Sequence, residues 1–385
     1  MAHLAHLALA LVACFHATAS GSGSWRAPPV FAARIPYASF LGDADVTWSW
    51  DLSSPQLRSS WNSVPSIYWQ GGFIGNGNLG AICTVQAPLS AGAARGGGGP
   101  SVGAPVLTLG RTDVFERRAP PSPLSTGDIF CDEGRLPIGN LTLRTVGDVV
   151  SGEMRLVLHR AEIVGSLNTT QGGHVRFRVL VLAGQSDSLM IEMNTSVTEA
   201  RARWEFHPLS ANASRPVPSF GLSENFPCRS KRYTSNPPVV AHPPRSGHSG
   251  SAVRVWMQPL LVGLSYSTTF AENVSDGGRS QVVAVSTTAP SSASDDGERG
   301  ARAADDAAVA ATTRLLRAAP RAAALALHRA AWQEYYARSF LSIAQPRLEQ
   351  FYWARTWAHD FGCAEKTAPL SRGGFQRPNQ TTLYI

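Results

Sequence analysis

The sequence predicts a mainly β protein: an antiparallel β-supersandwich, followed by an α-helical linker and the truncated start of an (α/α)6 barrel. Two observations carry this. From Val46 to about Thr287 the chain runs in short stretches rich in Val, Leu, Thr and Trp, punctuated by Gly, Pro and Asn about every ten residues. After Ser291 the pattern changes to Ala-, Leu- and Arg-rich segments of helical period.

The expected strands are Asp45–Leu52, Gly80–Gln86, Val106–Leu109, Asn140–Thr145, Glu153–Leu158, Ala161–Asn168, His174–Leu182, Ser188–Met193, Ala202–Phe206, Val253–Gln258, Leu261–Phe270 and Ser280–Thr287. Their even spacing argues for packed antiparallel sheets. Residues 156–179 read as a meander with short hairpins. Two interruptions, Ser90–Pro105 and Phe226–Ser251, read as long surface loops because of their Gly, Ala, Ser and Pro content. The domain reading is a sandwich over 40–290, a polar linker over 291–302, a helical linker over 303–344, the start of a barrel over 345–357 and a divergent tail over 358–385. Within the helical linker, Ala303–Ala318 and Arg321–Phe340 are expected as two helices parted by Pro320.

With 385 residues and 43% hydrophobic against 16% charged composition, the chain can bury a large core and is not a disordered polymer. The net charge of +7 does not form a nucleic-acid stripe. Lys231 and Lys366 are the only lysines, and the arginines are scattered, the densest runs being Glu116-Arg117-Arg118 and Arg229-Ser230-Lys231-Arg232. No nucleic-acid partner is expected.

Residues 1–19 read as a secretory signal peptide: the apolar run Leu4–Phe15 precedes Ala17-Thr18-Ala19, a small-x-small cleavage pattern. His3 and His6 stand where Lys or Arg is usual. No later stretch is apolar and long enough to predict a membrane span. A secreted, extracellular glycoprotein is therefore expected, with Asn-x-Ser/Thr acceptors at Asn140, Asn168, Asn194, Asn212, Asn273 and Asn379. Beyond the signal remain Cys83, Cys131, Cys228 and Cys363, none at metal spacing. Cys131 and Cys228 are the favoured disulfide pair; buried free thiols are the alternative.

Gly75-Asn76-Gly77-Asn78-Leu79-Gly80 matches a dinucleotide fingerprint in letters but leads into a strand, Ala81–Val85, where the fingerprint requires a helix N-terminus. A tight turn between strands is the better reading. No nucleophile elbow, zinc helix or phosphate loop is present, so no catalytic residue, metal or cofactor is assigned. Trp48, Trp50, Trp61 and Trp69 precede the turn and suit either a sugar-stacking surface or core packing. The ligand-contact candidates are Trp69, Asn76, Asn78, Arg111 and Asp113, with carbohydrate as the partner. The competing reading is that glycine-flanked asparagines satisfy their own turn.

Several segments taken together resemble the N-terminal domain of six-hairpin-glycosidase-like proteins, nearest to the domain of unknown function 5703. They are Trp48-Ser49-Trp50-Asp51-Leu52, Phe73–Ala81, Leu109-Gly110-Arg111-Thr112-Asp113-Val114, Arg135–Leu141, Met154-Arg155-Leu156, Trp256–Leu260, His328-Arg329-Ala330-Ala331-Trp332, Ser339–Ser342 and Leu348–Trp353. The Gly-Asn-Gly-x-Leu-Gly turn is distantly similar to one in the family 95 glycoside hydrolases, which include α-L-fucosidases. The resemblance spans about residues 40 to 357. It implies a supersandwich, a helical linker and an (α/α)6 barrel holding a Glu/Asp acid and base for inverting hydrolysis. Such a barrel needs several hundred residues beyond Trp357, so these 385 residues are expected to hydrolyse no glycoside. A non-enzymatic secreted glycan-binding or structural sandwich is the alternative.

Overall fold

The computed structural model describes residues 37–53, 65–66, 70–87, 101–115, 135–183, 187–210, 236–247, 251–261, 263–292, 295–338, 344–345 and 348–349. In chain order the strands are β1 (Val46–Asp51), β2 (Gly72–Gly75), β3 (Leu79–Val85), β4 (Pro105–Phe115), β5 (Arg135–Arg144), β6 (Val149–Val157), β7 (Glu162–Thr169), β8 (His174–Val181), β9 (Ser188–Thr195), β10 (Arg203–Pro208), β11 (Val240–Ser246), β12 (Ala252–Pro259), β13 (Leu264–Ser275), β14 (Ser280–Thr287) and β15 (Ser291–Ser292). Among the described residues the α-helices are α1 (Tyr37–Gly42), α2 (Asp295–Leu316) and α3 (Ala318–Arg338).

All pairings are antiparallel. The larger sheet has ten strands in the order β1-β6-β7-β8-β9-β14-β13-β12-β11, with β15 also on β13; the smaller has five in the order β10-β5-β4-β3-β2. The expected sandwich is thus present, and helices follow it.

Alternation explains how the sheets face each other. In β8, Val175, Phe177, Val179 and Val181 are buried and point inward, while His174 and Arg176 are exposed. They meet Leu107, Leu109, Leu141, Leu143, Trp204 and Phe206 from the smaller sheet in one core. Trp204 sits edge-on to Phe177, ring centroids 6.0 Å apart. Alternation fails where both faces are covered. Leu180, Leu182, Met190, Ala271, Val282 and Ala284 turn outward, yet are buried beneath Leu315 and Leu316 of α2 and Ala324 of α3. A hydroxyl contact fixes this layer: Thr269 Oγ1 lies 2.7 Å from Thr312 Oγ1.

Three strands depart from the sequence expectation, one of them β15, a two-residue strand paired with β13 inside the expected polar linker. β2 has four residues, two of them glycine, too few to show a period. β11 falls inside the expected loop Phe226–Ser251 and contains His242-Pro243-Pro244. It is tolerated because β11 is an edge strand and its register shifts between His242 and Arg245, so the prolines remove no interior ladder bond.

The helical region is also corrected. The expected polar linker over 291–302 is helical from Asp295, with Asp295, Asp296 and Glu298 in the first turn, where acidic residue types suit the helix dipole. The break between helices lies at Arg317, because Pro320 stands in the first turn of α3, where its missing N–H costs no intrahelical bond. Of the expected barrel start over 345–357, only Gln345, Leu348 and Glu349 are described. The signal segment and the tail lie outside the described residues.

Candidate functional site

The turn between β2 and β3 is closed by Asn76, whose N–H donates to the Leu79 carbonyl at 3.1 Å. Gly77 has φ of +87°, a conformation that favours glycine. The Asn76 Oδ1 accepts from the N–H groups of Asn78 (3.0 Å) and Leu79 (2.9 Å), the local bonding expected of an asparagine in a turn. Its Nδ2 does something longer-ranged: it donates to the Leu182 carbonyl at 2.8 Å, across the gap between the sheets.

Three more of the candidates meet there. Arg111 extends from β4 with its side chain fully buried. Its Nε and Nη2 donate to the two carboxylate oxygens of Asp113, each at 2.8 Å, and its Nη1 donates to Asp187 Oδ2 and Thr287 Oγ1, each at 2.7 Å. Asn78 Nδ2 donates to the other Asp187 oxygen at 3.1 Å. Thr112 binds the turn from below, its N–H to the Asn78 carbonyl (2.8 Å) and its hydroxyl to the Gly77 carbonyl (3.1 Å). Burial alone would lower the Arg111 pKa; the hydrogen bonds and charges of Asp113 and Asp187 outweigh that and raise it. The same buried cation faces Tyr266, whose hydroxyl is pushed up by burial and pulled only partly back by Arg111.

Asn76, Asn78, Arg111 and Asp113 therefore form one constellation, and Trp69 lies outside the described residues. Sequence reasoning missed Asp187, which takes bonds from two of the four, and Thr287. Asp187 has no signal of its own, being an acid after Gly184-Gln185-Ser186 and 76 positions or more from its side-chain partners. The arrangement is a clamp: the smaller sheet contributes Asn76, Asn78 and Arg111, and the larger contributes Leu182, Asp187 and Thr287. The Asp113 and Asp187 side chains keep 22% and 17% exposure, and Asn76 and Asn78 are also half-buried, so the clamp meets solvent through these polar groups while Arg111 stays covered.

A second polar site holds the helices. His328 of α3 is buried, accepts from the Ala183 N–H at Nδ1 (3.1 Å) and so carries its proton on Nε2, donated to the Arg160 carbonyl at 2.9 Å. Burial lowers its pKa to about 4, with Arg329 and Arg178 adding to the effect. One turn on, Trp332 packs between Tyr335 and Tyr336, and the Tyr336 hydroxyl donates to the Leu158 carbonyl. Beside it a charge ladder crosses the sheet. Glu162 contacts Arg160 at 2.8 Å, poorly aligned for a hydrogen bond; Arg178 bonds Glu192; and Arg321 of α3 reaches Glu192 at 3.1 Å. The loop after β8 is thus gripped from both sides, Leu182 by Asn76 and Ala183 by His328.

A buried acid, Glu199, also escaped the sequence reading. It accepts from the N–H groups of Val146 (2.7 Å) and Gly147 (2.9 Å) and from the Thr169 hydroxyl (2.7 Å), tying the β5–β6 turn to β7.

Cys83 is a buried free thiol, its pKa pushed up to about 12 by burial. Cys131 and Cys228 lie outside the described residues, as do Asn212 and Asn379. Asn168, Asn194 and Asn273 are exposed; Asn140 is half-buried in the middle of the smaller sheet. Among the described residues, no group of three or more His, Cys, Asp or Glu side chains could hold a metal ion, and no helix is long and apolar enough to cross a membrane. The chain matches no family model and no curated protein.

Proposed function

We propose that the chain is the sandwich-and-linker portion of a secreted carbohydrate-active protein of glycoside-hydrolase ancestry, similar to six-hairpin-glycosidase-like proteins, and that this portion supports chemistry without performing it. The observation that carries the reading is where the resembling motifs fall. The Gly75–Gly80 turn and Leu109–Val114 supply the clamp between the sheets, and His328–Trp332 supplies the seat of the linker helix. Motifs that secure sheet to sheet and helix to sheet suit a scaffold that presents a following domain. Within the clamp, Asn76 and Arg111 are engaged in bonds to the protein itself, which suits support better than ligand capture.

A second reading, a glycan-binding module, is favoured by the partial exposure of the Asp113 and Asp187 carboxylates, which can accept from sugar hydroxyls. One experiment separates the two. Wild type, Asn76→Ala and Asp113→Ala are compared for melting temperature, for binding to a panel of sugars and for turnover of aryl fucosides, galactosides and arabinosides. The scaffold reading expects lower melting temperatures, no binding change and no turnover. Binding lost at unchanged melting temperature would install the second reading, and turnover surviving purification would overturn the first.

A further inference from the structure

Three Asn-x-Ser/Thr acceptors far apart in sequence converge on one surface. Along the ten-stranded sheet, Asn168 of β7, Asn194 of β9 and Asn273 of β13 all point to the outer face, since their neighbours Leu167 and Met193 are inward core residues and Asn273 shares its face with Ala271, beneath the helices. The pairing fixes their spacing. Ser166 stands opposite Arg176, Arg176 opposite Asn194, Asn194 opposite Ser280, and Ser280 opposite Ser275. Asn194 is therefore two strands from Asn168 and two residues out of line with it, and the same offset separates Asn194 from Asn273. At the usual strand spacing and rise, each step is about 12 Å.

The surroundings divide this outer face in two. The half bearing Leu180, Met190, Val253, Ala271 and Ala284 is covered by α2 and α3. The other half, including Ser166, Arg176, Asn194 and Ser275, is exposed, and the three asparagines are exposed on it. Asn140 differs: its Oδ1 is buried without a partner, and its sequon hydroxyl, Thr142, is buried against His207 Nε2 at 2.9 Å.

We propose that the uncovered half of the larger sheet's outer face is a glycan-bearing surface, carrying N-linked oligosaccharides on Asn168, Asn194 and Asn273 together, and that it is thereby closed to protein partners. The transfer uses a polyprenyl-pyrophosphate-linked oligosaccharide. The asparagine Nδ2 forms a bond to the sugar C1 and loses a proton, the C1–O bond to pyrophosphate breaks, and the polyprenyl pyrophosphate leaves. The folded sheet accommodates the products because all three side chains are exposed, the Asn168 Nδ2 giving up the bond it donates to the Ser151 hydroxyl at 3.0 Å. The inference rests on the secretion proposed above.

The full chain is expressed in glycosylating eukaryotic cells under a borrowed signal sequence, so that entry to the secretory pathway does not depend on residues 1–19. Site occupancy is read by peptide mass spectrometry after glycosidase release in heavy-oxygen water. Occupancy at Asn168, Asn194 and Asn273 in protein that melts cooperatively is the expected result, and Thr170→Ala, Ser196→Ala and Ser275→Ala each remove one glycan without touching the asparagine. Any of the three sites left empty in the folded wild type overturns the proposal. A parallel expression under the chain's own first 19 residues tests secretion by itself: retention there with full occupancy under the borrowed signal overturns the secretion reading and leaves the surface assignment standing.

Discussion

Lowering pH should loosen the seat of α3 through His328. The imidazole is 1% exposed and its pKa falls to about 4, against an ordinary 6.5. The unfolded chain therefore takes up a proton at this residue before the folded one does, so the contribution is fully present above pH 6.5 and is lost as pH falls through the window to 4. The shift corresponds to about 3 kcal/mol in total, of which about 2 kcal/mol is lost between pH 7 and 4.5. Structurally, a protonated Nδ1 can no longer accept from the Ala183 N–H, and the new charge is repelled by Arg329 and Arg178, while Glu162, beside Arg178, is the nearby carboxylate. Glu162 has the opposite slope, since burial raises its pKa and its contribution falls as pH rises above 4.5. His159, lowered by burial and by Arg160, slopes like His328. Both are common to wild type and a His328→Gln variant, so the difference between the two isolates the imidazole. Urea unfolding at pH 7, 6, 5 and 4.5 is the assay. His328→Gln should cost about 1–3 kcal/mol at pH 7, and the gap should close by about 2 kcal/mol at pH 4.5. Parallel pH profiles, within about 0.5 kcal/mol, would refute the reasoning.

Two further outcomes follow from packing. A methyl at Gly165 would overlap the ring of the buried Phe177, its cross-strand partner, so Gly165→Ala should destabilise by about 1–3 kcal/mol in chemical denaturation, whereas Gly110→Ala, with open space around the added methyl and no left-handed backbone to strain, should cost less. Cys83, buried and with its thiol pKa near 12, should resist a thiol reagent at pH 8 in the native protein and react at once in denaturant.

The sheets were legible where one face is dry and the other wet, as in His174–Val179, because the pleat writes that difference into alternate residues. They were least legible at β2 and β11, where brevity and prolines hide the pattern. The helix start at Asp295 was obscured because a polar first turn before an apolar stripe has the composition of a linker. At the clamp, Asn76, Asn78, Arg111 and Asp113 were found from a turn motif and a short segment. Asp187 was not, because a lone loop acid acquires meaning only when topology lays β9 beside β14 and over Arg111. His328 lay within a resembling segment, yet only its two backbone partners, Ala183 and Arg160, reveal that it pins a helix.

Arg111 and Asp187 bind the two sheets to each other. A double-mutant cycle with Arg111→Met, Asp187→Ala and the double variant, read by urea unfolding alongside sugar binding, measures that bond. Arg111→Met should cost about 3–5 kcal/mol, because it removes a buried cation from two carboxylates. The double variant should cost at least about 1.5 kcal/mol less than the sum of the singles, with sugar binding unchanged. A coupling near zero, or sugar binding abolished while stability holds, would contradict the clamp and return these residues to a ligand site.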